Sequence, residues 1–200
     1  MSTTYEVGDM RPNVSSRSQL GILMLNGSFG VGKTAVACAL LELIPGALLF
    51  DPEVVGTCAR RVTEGVRYGA EDTDDYQDIA LWRLLTVTTG QHLYRQYERP
   101  LIVPMTLVNC SYLAAIRSGF EAVAPVYHFC LTAPLPVVQQ RLLDRGDGPG
   151  TWPWEKAAQC VPVLEDNHYQ EHISTEDRTV GEIATSILER VSQRQLENHA

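Results

Sequence analysis

Eight consecutive residues, Gly27-Ser28-Phe29-Gly30-Val31-Gly32-Lys33-Thr34, satisfy the pattern G-x-x-x-x-G-K-[ST]. Each residue type answers a need of phosphate binding. Glycines let the main chain turn tightly, with successive N–H groups aimed inward at anionic oxygens. A helix starting at the end of such a loop adds the positive potential of its N-terminus. Lys33 is placed to reach the outer phosphates of a nucleoside triphosphate, and the Thr34 hydroxyl to ligate Mg²⁺. The loop alone does not choose among the proteins that carry one. No N-K-x-D element stands ready to read guanine, and the apolar run 101–106 (LIVPMT) lacks the terminal carboxylate of a mechanical ATPase.

A carboxylate appears instead after the apolar run 47–50, in Asp51-Pro52-Glu53. There Asp51 has two readings that are compatible: general base for an acceptor hydroxyl, or N-cap of the next helix. Arg141 and Arg145 stand four apart, on one helix face, and a glycine-rich stretch with Gly146, Gly148 and Gly150 follows them. This pattern reads as a mobile arginine-bearing lid that stabilises transferring phosphate, or as surface arginines paired with Asp144 or Asp147. Between residues 51 and 101, Arg60, Arg61, Asp74, Asp75, Gln77, Trp82 and Arg83 supply polar and aromatic candidates for the acceptor side, with Trp82 equally readable as core.

The elements that must position these residues alternate along the chain. Apolar runs at 20–26, 47–50, 101–105 and 123–131 have strand length, with a short fifth strand at 171–173. Helical patterns fall at 34–43, 52–67, 76–97, 111–118, 136–145, 155–165 and 180–191. Strands that are apolar on both faces and alternate with helices predict an α/β fold, a parallel sheet covered by helices. The expected organisation is a flexible tail at 1–19, one domain at 20–192 and a C-terminal tail at 193–200.

Composition narrows the partners. The 200 residues are 44% apolar and 20% charged, the mix of a soluble globular domain. A net charge of −8 argues against nonspecific binding to nucleic acid or anionic lipid. Only two of the sixteen basic residues are lysines, Lys33 and Lys156. The five cysteines are scattered without a C-x-x-C pair, and all but Cys110 sit among apolar neighbours. They read as buried free thiols of a cytoplasmic protein. His168 and His172 are four apart with no third ligand near, which gives no zinc site. The longest uncharged stretch, 122–140, contains three prolines, so no integral membrane segment is expected.

Taken together, these segments resemble the tunicamycin-resistance ATP-binding proteins, a TmrB-like family within the P-loop nucleoside and nucleotide kinase group. The resemblance is carried by Asn26 through Thr34, Asp51-Pro52-Glu53 with Gly56 and Arg60, and Asp74-Asp75-Tyr76-Gln77 with Leu81-Trp82-Arg83. It continues through Ile102-Val103-Pro104-Met105-Thr106, His128-Phe129, Arg141 and Arg145, Trp152, Cys160-Val161 and His172-Ile173-Ser174-Thr175. The resemblance implies a three-layer P-loop NTPase, with a five-stranded parallel sheet of order 2-3-1-4-5, helices on both faces and a small lid. It also implies that ATP, with Mg²⁺, is held by Gly27, Ser28, Phe29, Gly30, Val31, Gly32, Lys33 and Thr34, with Arg141 and Arg145 in the lid and Thr175 beside adenine.

On the same basis Asp51, Glu53, Arg60, Gln77, Trp82 and Arg83 would face a nucleoside such as tunicamycin or a uridine nucleotide. Gln77 offers both donor and acceptor to a uracil edge. Lys33, Asp51, Arg141 and Arg145 would carry the catalysis of an ATP-dependent phosphotransferase. Two alternatives stay open: a non-catalytic binder that sequesters the antibiotic, and a housekeeping nucleoside or nucleotide kinase. The C-terminal segment lacks the basic amphipathic pattern of membrane-associated family members.

Overall fold

A computed structural model describes residues 20–197; the tail expected at 1–19 and residues 198–200 lie outside them. Five parallel strands form one sheet: β1 (Ile22–Gly27), β2 (Leu48–Leu49), β3 (Leu101–Pro104), β4 (Val126–Thr132) and β5 (His172–Ser174), in the order β2-β3-β1-β4-β5. β1 is central, with Ile22 opposite both Leu101 and Val126. All six of its residues are buried, because successive side chains point to opposite faces and both faces are covered.

Leu23 and Leu25 join one core with Val36, Ala37 and Leu40 of α1 (Lys33–Leu43), Val138 and Leu142 of α5 (Leu135–Asp144), and Ile183 and Ile187 of α7 (Val180–Glu197). Ile22 and Met24 join the other with Ala59 of α2 (Pro52–Val62), Trp82 of α3 (Ala80–Tyr97) and Ile116 and Phe120 of α4 (Cys110–Glu121). α6 (Trp152–Leu164) serves both cores, through Val161 on one side and Cys160 and Leu164 on the other. The expected α/β architecture and strand order are those observed.

Three helix boundaries differ from those expected. The helix expected at 52–67 ends at Val62. The one expected at 76–97 is broken: Asp75 caps a single 3₁₀ turn, Tyr76–Asp78, and α3 starts at Ala80, whose N–H donates to Glu71 Oε1 at 2.8 Å. The tail expected from 193 is helical through Glu197, since Arg190 and Arg194 both hold Glu171 and bind the last turns of α7 to the start of β5. Three thiols expected in the interior or left unassigned are exposed, Cys38, Cys58 and Cys110, while Cys130 and Cys160 are buried. Cys38 and Cys58 lie on the outward faces of α1 and α2, where apolar sequence neighbours do not imply burial. No helix among the described residues is long and apolar enough to cross a membrane.

Candidate functional site

The loop after β1 has the backbone its glycines foretell. Gly27, Gly30 and Gly32 have φ of 150°, 79° and 106°. A Cβ on Gly27 would lie 2.8 Å from both Leu131 O and Val31 Cγ1, so the loop also needs glycine for close packing. Gly32 occupies the N-cap of α1 in a left-handed conformation and supplies no capping side chain. The first-turn N–H groups of α1 therefore remain available to an anion. Lys33 Nζ donates to the carbonyls of Gly27 and Ser28 at 2.9 and 2.8 Å, and lies 5.5 Å from the centre of the Phe29 ring. Desolvation lowers the Lys33 ammonium to about 8 against the opposing pull of Glu53. Thr34 is exposed one residue on.

Beside the loop lies a cavity of about 600 Å³. One wall comes from Glu53, Arg60 and the 74–77 turn, the floor from Phe29 and Thr106, and the other wall from α6. Of the residues expected to face an acceptor, Glu53, Arg60 and Gln77 line it. Desolvation and the neighbouring Asp51 charge push the Glu53 carboxyl above its usual range, while Lys33 pulls it down. Arg60 Nη2 donates to Asp74 O at 2.7 Å and its guanidinium lies 5.6 Å from the centre of the Tyr76 ring. Gln77 Nε2 donates one of its two hydrogens to Thr106 O at 2.6 Å, which fixes the amide and leaves the second N–H and the acceptor Oε1 for a ligand.

Four of the other expected site residues are engaged by the fold itself. Asp51 is the N-cap of α2, its Oδ1 accepting from Glu53 N at 2.9 Å, and it does not line the cavity. Trp82 is 1% exposed, and its Nε1 donates to Pro52 O at 3.0 Å. It is core, and fixes where α2 begins. Arg83 stands 4.2 Å from the centre of the Tyr112 ring and donates to Gln77 O at 2.5 Å, which makes it a support for Gln77. Arg141 is a strut within α5 and not part of a mobile loop: it donates to Val31 O (3.2 Å), Thr175 Oγ1 (2.8 Å) and Thr175 O (2.8 Å). It thereby joins the P-loop to the buried Thr175 after β5. Arg145 is half-exposed at the start of the glycine-rich connection, bound to Asp147, and its charge is felt at Lys33.

Other residues of the site had no assigned role in the sequence. Asn26 is fully buried at the end of β1. Its Oδ1 accepts from Gly27 N (2.8 Å) and Leu107 N (2.9 Å), and its Nδ2 donates to Leu107 O (2.9 Å). Thr106 Oγ1 adds a bond to Gly27 O at 2.8 Å. Together they fasten the P-loop to the segment after β3 that floors the cavity. From α6 come Trp152, Lys156, Gln159, Cys160 and Val163, a stripe at i, i+4, i+7, i+8 and i+11 whose helical spacing was readable in the sequence. Gly56 allows the ring of Tyr76 to pack on α2, since a Cβ there would lie 2.7 Å from it.

The doubly covered parallel sheet and the glycine-built phosphate loop define a P-loop kinase-like protein. No protein-family model matches the chain, and no curated protein matches it in sequence. Among solved structures, the tunicamycin resistance protein of Deinococcus radiodurans is 32% identical, with 86% of this chain and 95% of that one covered at a TM-score of 0.70. The chain belongs to the family of tunicamycin resistance proteins. A gluconokinase from Sinorhizobium meliloti 1021 (18% identity, 90% and 98% covered, TM-score 0.63) and a shikimate kinase from Acinetobacter baumannii (18%, 88% and 96%, 0.56) share the fold.

Proposed function

We propose that the chain is an ATP- and Mg²⁺-dependent phosphotransferase acting on tunicamycin or a related uridine-type compound. The observation that carries this reading is that Glu53 and the P-loop residue Phe29 line one cavity beside Lys33. The loop suits a nucleotide: its glycines take positive φ, the first turn of α1 is uncapped by any side chain, and Thr34 is exposed for a cation. When bound, ATP would supply the phosphoryl group and Mg²⁺ would neutralise its charge.

The chain's own residues divide the remaining work. Lys33 exchanges two loop carbonyls for phosphate oxygens. Glu53 takes the proton of the acceptor hydroxyl, a task suited to a carboxyl raised above its usual range. Asp51 holds the Glu53 backbone in place through the cap, and its charge raises the Glu53 carboxyl. Arg145, at the start of the glycine-rich connection, would turn toward transferring charge on leaving Asp147. Gln77 Oε1 accepts from an N–H of the acceptor. Free thiols and a need for ATP fit action in the cytoplasm.

The test is incubation with Mg-ATP and tunicamycin, followed by mass spectrometry of the compound. A gain of one phosphate, lost in Glu53→Gln with ATP binding intact, is the expected result. Binding of both ligands with no phosphorylated product would refute transfer and leave a sequestering protein.

A further inference from the structure

The cavity is electrically two-sided. Its carboxylates, Glu53, Asp74 and Asp75, come from α2 and the turn before α3. The α6 wall carries a single charged residue lining the cavity, Lys156. Among the described residues Lys156 Nζ makes no ion pair or hydrogen bond; it rests 5.9 Å from the centre of the Trp152 ring. Trp152 in turn meets Phe29 of the P-loop edge-on at 4.9 Å, and the face of Phe29 carries Lys33. The chain's only two lysines are thus joined through two aromatic rings, one at the phosphate loop and one in the acceptor cavity. The buried Cys160 thiol feels both positive charges.

An ammonium group in a partly closed cavity gains most from a partner that arrives with the ligand. The three carboxylates lie beyond ion-pair reach of it, on the other wall. They suit the hydroxyl groups of a ligand, whose hydrogens they accept. We propose that Lys156 binds an acidic group of the acceptor, so that among related uridine-type acceptors a phosphate monoester is preferred over its neutral nucleoside. This rests on the reading of the cavity as the acceptor site.

The experiment fills the P-loop with Mg²⁺ and a non-hydrolysable ATP analogue, then compares uridine monophosphate with uridine by calorimetry. The two probes differ by one phosphate. The wild-type protein should prefer the monophosphate about tenfold or more. Lys156→Gln should bring the two together, Lys156→Arg should keep most of the preference, and affinity for the ATP analogue should not change. An absent preference, or one that survives Lys156→Gln, overturns the proposal. So does an equal loss of ATP-analogue affinity, which would give Lys156 to the nucleotide's own phosphates. If neither uridine compound binds, the uridine reading of the proposed function fails, and inorganic phosphate then decides for Lys156. Binding to the analogue-filled protein that Lys156→Gln removes supports the proposal, and no such binding overturns it.

Discussion

Asn26→Ala should cost more stability than any surface change near the site, and it should loosen phosphate binding as well. The wild-type carboxamide serves the N–H of Gly27 and both the N–H and C=O of Leu107, all buried. Alanine leaves three main-chain groups without partners. At about 1 to 3 kcal/mol for each unsatisfied buried group, the lower end applies where water can enter the vacated space, which gives about 3 kcal/mol. That is a large share of a typical stability of about 5–15 kcal/mol. For a domain of this size it lowers the melting temperature by roughly 6–12 °C. Asn26→Asp sharpens the test. Its carboxylate still accepts from both N–H groups but faces Leu107 O without a proton, so its folded pKa should lie above that of the unfolded chain. Stability lost at neutral pH should then return as pH falls and the carboxyl regains a donor. Thermal melts and nucleotide titrations on the same samples provide the readout. A loss under about 1 kcal/mol with unchanged nucleotide affinity would refute the linking role.

Other substitutions probe neighbouring claims. Trp82→Phe should cost about 1–2 kcal/mol through the lost bond to Pro52 O, and Trp82→Ala about 3–5 kcal/mol, in urea titrations. The Phe variant should bind acceptor as before, and a selective loss of acceptor affinity would return Trp82 to the cavity wall. Gly56→Ala gains about 1 kcal/mol of helix propensity. It also collides with the Tyr76 ring at 2.7 Å, so acceptor affinity should fall several-fold while nucleotide affinity holds, as calorimetry would show. His128 donates from Nδ1 to Gln170 O, and its buried Nε2 has no partner. Desolvation lowers its pKa below 6.5, opposed by that hydrogen bond and helped by Arg117, His172 and Arg194. The unfolded chain therefore takes up a proton that the folded chain refuses, and stability should decline as pH drops below about 6.5. Denaturation midpoints from pH 7.5 to 5, flattened in His128→Gln, test this.

Much of the molecule is legible in the linear chain because local rules are sufficient for it. The phosphate loop depends on glycines at fixed spacing and a helix that follows, all within eight residues. Continuous apolar runs separated by helical patterns require a buried parallel sheet whatever the distant partners are. Asp51-Pro52 announces a capped helix, and the cap is what forms. The resemblance added the strand order, which periodicity alone leaves open.

Tertiary structure decided which side chains share a space. Trp82 and Arg83 are readable in sequence as ligand contacts or as structure, and the packing of α3 on α2 and α4 commits them to Pro52, Gln77 and Tyr112. Arg141 reads as a lid residue until the sheet brings Val31 and Thr175 within its reach. Asn26 and Leu107 are 81 positions apart, and only the pairing of β1 with β3 makes them partners. The stripe on α6 has an ordinary amphipathic spacing, and the crossing of that helix beside the P-loop turns it into a cavity wall. Hydrogen bonds and charges act over a few ångströms. A sequence determines which groups are available to make them, and the fold decides which of those groups come close enough to do so.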